Sequence, residues 1–208
     1  METDLNKLIK LILTKQMPAE RSLLVGISGI DAGGKGFITA KLAAELQTQG
    51  FKVAKINVDG WLNLPDIRFC QNNPADNFYQ NGLRLGEMFE KLILPLQKNR
   101  SIYLLADFAE ETASEFRKHE YFYENIDLIL LEGIFLFKKS FIDIFDLKIW
   151  IDCSFETALK RAILRSQENL WPEKTIKAYQ TIYFPSQQIH FTQDDPQSLA
   201  DLIYNNDY

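Results

Sequence analysis

Residues Gly29-Ile30-Asp31-Ala32-Gly33-Gly34-Lys35 set glycines ahead of a lysine at the spacing of a phosphate-gripping loop. Glycines let the backbone curl until its N–H groups point inward at an anion. The lysine adds a mobile point charge for the outer phosphates. The following stretch, Gly34 to Gln49, carries Ile38, Leu42 and Leu46 on one helical face. The loop therefore opens a helix, whose positive N-terminal end faces the same anion. The chemistry implied is binding of a nucleoside triphosphate or close relative by Gly29, Ile30, Asp31, Ala32, Gly33, Gly34, Lys35, Gly36 and Phe37.

One position breaks this pattern. The residue after the lysine is ordinarily Ser or Thr, whose hydroxyl binds Mg²⁺. Here it is Gly36. Either water and other carboxylates hold the metal, or metal use is weakened. A serine restored at 36 is expected to tighten the dependence on Mg²⁺. Thr39, one turn further on, is read as a helix-surface residue.

Acids follow the apolar runs. In an open parallel sheet, ligands bind beyond the carboxyl ends of the strands, and those ends read Asp59, Asp107, Glu132 and Asp152. Glu132 ends Leu128-Ile129-Leu130-Leu131, the place of an acid acting on Mg²⁺ or its waters. Asp59, after Ile56-Asn57-Val58, is placed to accept the proton of an attacking hydroxyl. Asp107 is a candidate for touching the acceptor, and Asp152 reads as structural. Arg68 and Arg84 could meet an anionic acceptor. Trp61, Phe69, Phe78 and Tyr79 could form a stacking wall or pack a core. His119 and His190 read as surface or satisfied histidines.

The elements that position these residues alternate. Strands are expected at Ser22–Ser28, Phe51–Val58, Ile102–Ala106, Leu128–Leu131 and Leu147–Ile151. Helices are expected at Asn81–Leu96, from a Ser154 cap to about Arg165, and from Pro172 to before Pro185. The pattern describes one three-layer α/β domain over residues 1–208, with a parallel sheet covered on both faces. Residues 1–20 are expected to hold an amphipathic N-terminal helix packed on the domain, with Leu5, Leu8, Ile9, Leu11 and Ile12 on its apolar face. Its lysines and early acids do not suit a signal peptide.

The 208 residues are 46% hydrophobic and 25% charged, as in ordinary soluble domains, with a net charge of -5. That balance gives no reason to expect nucleic-acid or anionic-membrane binding. Cys70 and Cys153 lie far apart, outside any metal-ligand spacing, and read as free thiols in a reducing cytoplasm.

Taken together, the ordered segments resemble the uridine kinase family of P-loop nucleoside kinases, from about Leu24 to the C-terminus. The residues that carry the resemblance are Gly26-Ile27-Ser28-Gly29 with Gly34-Lys35, Val58-Asp59-Gly60-Trp61, Ala106-Asp107-Phe108 and Leu131-Glu132-Gly133-Ile134-Phe135. Ile151-Asp152, Thr157 to Arg165, and Tyr179 with Pro185 complete the set. The resemblance implies a P-loop NTPase fold with a five-stranded parallel sheet and a small mobile lid, the lid and the helix after it spanning about 166–185. It implies transfer of a phosphoryl group from ATP to a sugar hydroxyl. Carried over, Lys35 holds phosphates, Asp59 is the base and Glu132 supports Mg²⁺. Asp76 falls near the family's ribose-gripping acid, and Arg161 and Arg165 fall where the lid begins. The departures lie where the acceptor is chosen. Ala106 stands where the family has Tyr, Glu111 roughly where it has His, and Asn169-Leu170-Trp171-Pro172 where it has an Arg-Gly-Arg run.

The expectation is a cytoplasmic, ATP- and Mg²⁺-dependent kinase. By resemblance its acceptor is uridine or cytidine; Arg84, with Asp76 and Asp107, is a candidate for holding it. Pantothenate, nicotinamide riboside and sugar phosphates are alternative acceptors. A catalytically impaired nucleotide sensor and a nucleotide hydrolase are the competing classes. The expected partner is a small molecule, with no nucleic acid and no membrane, and a homo-oligomer stays open.

Overall fold

The computed structural model describes residues 2–15, 20–69, 72–165 and 171–207. Helix α1 (Glu2–Thr14) precedes β1 (Leu23–Gly29) and α2 (Lys35–Thr48). β2 (Val53–Asn57) runs into a 3-10 turn, Val58–Gly60, followed by short helices α3 (Pro65–Arg68) and α4 (Pro74–Asn81). A longer helix then joins α5 (Leu85–Met88), a π segment (Phe89–Ile93) and α6 (Leu94–Asn99). β3 (Ile102–Phe108) and β4 (Arg117–Tyr123) come next, then β5 (Leu128–Gly133), β6 (Leu147–Asp152) and α7 (Phe155–Arg165). A second long helix joins α8 (Pro172–Ala178), a π segment (Tyr179–Tyr183) and α9 (Phe184–Asp194), and the short strand β7 (Leu202–Asn205) ends the fold.

A five-stranded parallel sheet runs β2-β5-β1-β6-β7. Alternate residues of each strand serve opposite faces. Leu23, Val25, Ile27, Leu128 and Leu130 pack with Leu8, Ile9 and Ile12 of α1 and with Ile38, Leu42 and Leu46 of α2. Leu24, Ile129, Leu131 and Trp150 face the other layer, with Leu92, Leu96 and Phe137. The apolar side of α1 is thus used within the domain. No helix among the described residues is long and apolar enough to cross a membrane.

The sheet has the expected strand number but a different membership. Ile102–Ala106 does not join it: β3 pairs antiparallel with β4 in a separate hairpin, Ile102 against Tyr123 through Phe108 against Arg117. The fifth strand is instead β7, paired to β6 from Ile149 against Leu202 to Asp152 against Asn205. Four residues are too few to show a period, and β4, Arg-Lys-His-Glu-Tyr-Phe-Tyr, is too charged to read as a strand beforehand.

Two helices run on through a proline, and for the one expected to end before Pro185 this is a departure. Proline lacks an N–H and its ring clashes with the carbonyl four residues earlier. Pro95 and Pro185 nevertheless continue their helices, because each follows a π segment. There the backbone widens, with Leu94 N bonded to Phe89 O and Phe184 N to Tyr179 O. The helix begun at Pro172 therefore runs past Pro185 to Asp194. The helix expected from Asn81 is broken at its start, because Leu83 bridges to Leu62 and Arg84 N bonds Trp61 O at 2.8 Å. Ser154 does cap α7: its hydroxyl oxygen accepts from Thr157 N at 3.2 Å.

Candidate active site

The phosphate loop lies between β1 and α2, at the sheet's topological switch point, with β5 on one side of β1 and β6 on the other. Gly33 N bonds Ile30 O at 3.2 Å, closing the turn. Gly34 has φ 94°, and a Cβ there would sit 2.3 Å from Asn206 Nδ2, so only glycine fits. That Asn206 amide donates to Gly33 O at 2.8 Å, and Arg161 donates to the same carbonyl at 3.3 Å and to Asn206 O at 2.8 Å. The tail after β7 and the side of α7 therefore buttress the loop from outside. Lys35 is buried and folds its Nζ back onto Ile30 O at 2.8 Å, holding a positive charge inside the loop. Asp31 uses one oxygen for Ala32 N at 2.8 Å and the other for the Tyr179 hydroxyl at 2.6 Å. Burial and the Asp31 charge push the Tyr179 phenol well above its ordinary value, so it stays protonated and donates.

Two acids face Lys35. Glu132, one residue before the end of β5, lies level with Asn57 of β2. Asn57 Nδ2 donates to Glu132 Oε1 at 2.9 Å, while Asn57 Oδ1 accepts from Asp59 N at 2.7 Å and caps the 3-10 turn that carries Asp59. One amide thus fixes both carboxylates. No motif marks Asn57 in the sequence; its position between a strand and an acid turn is the sole hint. Loss of water around Asp59 raises its pKa, Asp31 adds to the rise, and Lys35, Asn57 and Arg165 oppose it. Glu132 is raised mainly by burial and further by Asp59, against Lys35, Lys55 and Arg165.

These groups line one cleft of about 950 Å³. Its far wall comes from the β3–β4 hairpin. A Cβ on Gly60, beside Asp59, would lie 2.7 Å from the Phe108 ring and 3.2 Å from the Tyr121 hydroxyl. His119 sits between those rings, with centroids at 5.0 Å and 4.6 Å. The aromatic wall of the cleft is therefore Phe108, His119 and Tyr121. Of the four aromatics considered from sequence, Phe78 reaches the cleft and Trp61 is buried against Tyr121. Recognising the wall required the hairpin, which pairs Ala106 with His119 and Leu104 with Tyr121.

The structure brings together the loop, Lys35, Asp59, Glu132, Arg161 and Arg165 on the cleft. Arg165 is exposed there, whereas Arg161 is engaged with the loop carbonyl. Three candidates for the acceptor do not line it. Asp107 points outward on β3 and pairs with Lys118 at 2.6 Å. Arg84 staples Glu87 at 2.7 Å and Asp107 O at 2.6 Å. Asp76 lies in the first turn of α4. Arg68, by contrast, is fully buried, lines the cleft and donates to Glu111 O. Thr39 is buried instead of lying on the helix surface. Asp152 accepts from Gln197 Nε2 at 2.9 Å, a structural use. His190 is buried with Nδ1 2.7 Å from Asp194, away from the cleft, and burial lowers its pKa. Cys153 is a free thiol; Cys70 and the lid stretch 166–170 lie outside the described residues.

The acids also suit a magnesium ion shared with a nucleotide. Among the described residues no group of three or more His, Cys, Asp or Glu could hold an ion alone. Mg²⁺ seldom asks for that: it keeps several waters and uses one or two carboxylates plus substrate phosphates. Glu132, which lines the cleft with the loop lysine, would be such a carboxylate.

No family model matches the chain, and no curated protein matches it. Solved structures do. The fold is that of P-loop kinases. A possible uridine kinase from Bacillus stearothermophilus superposes with TM-score 0.79 at 20% identity, covering 98% of each chain. A candidate fructose transport system kinase from Silicibacter sp. gives 0.76 at 16%, covering 96% of this chain and 98% of that one. D-glycerate 3-kinase from Cryptococcus neoformans gives 0.60 at 13%, covering 89% and 85%. The uridine kinase-like architecture read from the motifs fits these neighbours.

Proposed function

We propose that the chain is an ATP- and Mg²⁺-dependent phosphotransferase acting on a hydroxyl of a small molecule. The observation that carries this reading is a single cleft holding Lys35 in its loop, with Asp59 and Glu132 facing it and an aromatic wall beside Asp59. Phosphoryl transfer needs positioning and charge neutralisation more than covalent help. The loop amides and Lys35 hold the triphosphate. Glu132 would hold the metal, which when bound neutralises phosphate charge. Asp59 takes the acceptor's proton as its oxygen bonds to the γ-phosphorus and ADP leaves. Arg165 meets the charge spread over the moving group.

Phe108, His119 and Tyr121 favour an acceptor with a flat or ring-shaped face. A nucleoside fits that wall, and uridine or cytidine leads by the family resemblance. Pantothenate and sugar phosphates are the acceptors to set beside it. The test is ADP release by purified protein with Mg²⁺ATP across such a panel. Release that depends on one acceptor class supports the kinase. Release without any acceptor favours a hydrolase, and bound ATP with no turnover favours a sensor.

A further inference from the structure

The phosphate loop is gripped from behind at one atom. Gly33 is buried, and its carbonyl oxygen accepts from Asn206 Nδ2 at 2.8 Å and from Arg161 Nη1 at 3.3 Å. The two donors share a scaffold. Asn206 N bonds Asp152 O at 2.8 Å, and Asp207 Oδ1 accepts from Ser154 N at 3.1 Å and from Ser154 Oγ at 2.8 Å. Ser154 caps α7, which carries Arg161. The backbone thus seats Asn206 beside β6 and leaves its side-chain amide to the loop. Asn206 is buried and is not among the residues lining the cleft, so it acts on a phosphate only through Gly33.

A peptide unit couples that carbonyl to the next amide. Peptide bonds among the described residues are trans, so Gly33 O and Gly34 N–H point in opposite directions. Holding the oxygen outward on Asn206 therefore turns the Gly34 N–H inward, and Gly34 lines the cleft. Ala32 and Gly34 are both left-handed, at φ 56° and 94°, in a turn of the kind that gathers successive N–H groups into an anion-binding hollow. A hydrogen bond at the carbonyl end also polarises the amide and makes its N–H a stronger donor. We propose that Asn206 is a positioning residue for phosphate binding: it sets the Gly33–Gly34 peptide so that Gly34 N–H donates to the phosphates of the nucleotide. This rests on the nucleotide reading above and adds to it a residue that touches no ligand.

Gly33 and Gly34 are the only adjacent glycines in the sequence. Full-length protein labelled with carbonyl-¹³C, ¹⁵N-glycine therefore gives a single amide signal correlated to a labelled carbonyl, that of Gly34 N–H with Gly33 C=O. Tripolyphosphate, which has the phosphate chain and no nucleoside, is the probe. In the wild type the Gly34 amide proton should move downfield as the probe saturates. Asn206→Leu, similar in volume but without a donor, should shrink that movement and shift the Gly33 carbonyl carbon upfield. It should also weaken the probe about tenfold, the scale of one lost hydrogen bond. Asn206→Asp sets a carboxylate against the carbonyl and should weaken the probe more. It carries the same test where Asn206→Leu does not fold. An equal Gly34 movement in wild type and variants, or unchanged affinity in both variants, overturns the proposal. So does wild-type protein that binds the probe without moving Gly34. Failure of the wild type to bind tripolyphosphate at all overturns the nucleotide reading itself, which separates the two failures.

Discussion

Asn57 joins Glu132 through a 2.9 Å hydrogen bond, with its other amide end committed to the backbone of Asp59. Two carboxylates that repel each other are thereby held beside Lys35 by a neutral side chain. Removing a support of this kind typically costs 10- to 100-fold in activity or metal affinity. Asn57→Ala should therefore lower kcat by about that range while the protein still binds ATP. Asn57→Asp keeps the acceptor that caps Asp59 but sets a charge against Glu132, and should lose more. Equal, near-normal rates in both variants would remove Asn57 from the site.

The acidic limb of the pH–rate profile follows from the same crowding. A base works only when ionised, so activity falls as pH drops through its pKa. Burial and the Asp31 charge raise Asp59 above the ordinary 3.8, and Lys35, Asn57 and Arg165 only partly offset them. The acidic limb of kcat/KM, which reports the free enzyme, should sit above the usual aspartate range. Asp31→Asn removes a repelling charge and should move that limb to lower pH. A limb at or below 3.8 in the wild type would contradict the crowding.

The two arginines of α7 should separate cleanly. Arg161 donates to Gly33 O and Asn206 O, whereas Arg165 stands exposed in the cleft. Arg165→Ala should cut kcat by about a hundredfold or more, the scale of one lost transition-state donor, with no change in Tm. Arg161→Ala should lower Tm by about 2–8 °C, on the scale of 1–2 kcal/mol for its hydrogen bonds, and weaken nucleotide binding. A catalytic loss confined to Arg161 would reverse the assignment.

Tyr179 ties the second long helix to the loop through Asp31 at 2.6 Å. A hydrogen bond to a charged group contributes roughly 1.5–3 kcal/mol, part of which Tyr179→Phe should remove. Nucleotide affinity should weaken by about tenfold, measured by titration without acceptor, with the acceptor KM little changed. Unchanged nucleotide affinity would show that Asp31 is held without Tyr179.

The loop, α2 and the ends of β2 and β5 were legible because glycine spacing and apolar runs are local. Asp59, Lys35 and Glu132 followed from them. What stayed hidden depends on pairing across the chain. β3 looked like a sheet strand because Ile102 to Ala106 is apolar, yet its partner is the charged β4, so the wall of Phe108, His119 and Tyr121 was not visible. That error also misplaced Asp107, which alternation in the hairpin turns outward. Arg161 and Arg165 are equivalent by spacing. Only the tail beyond β7, brought back to Gly33 by Asn206, tells them apart.

The most direct test of phosphoryl transfer with Asp59 as base is acceptor-dependent ADP release by Asp59→Asn beside the wild type, with ATP binding measured on both. General-base loss accounts for about 10²- to 10⁴-fold in turnover. A drop of that size with ATP still bound is the predicted result. Near-normal turnover in Asp59→Asn would contradict it.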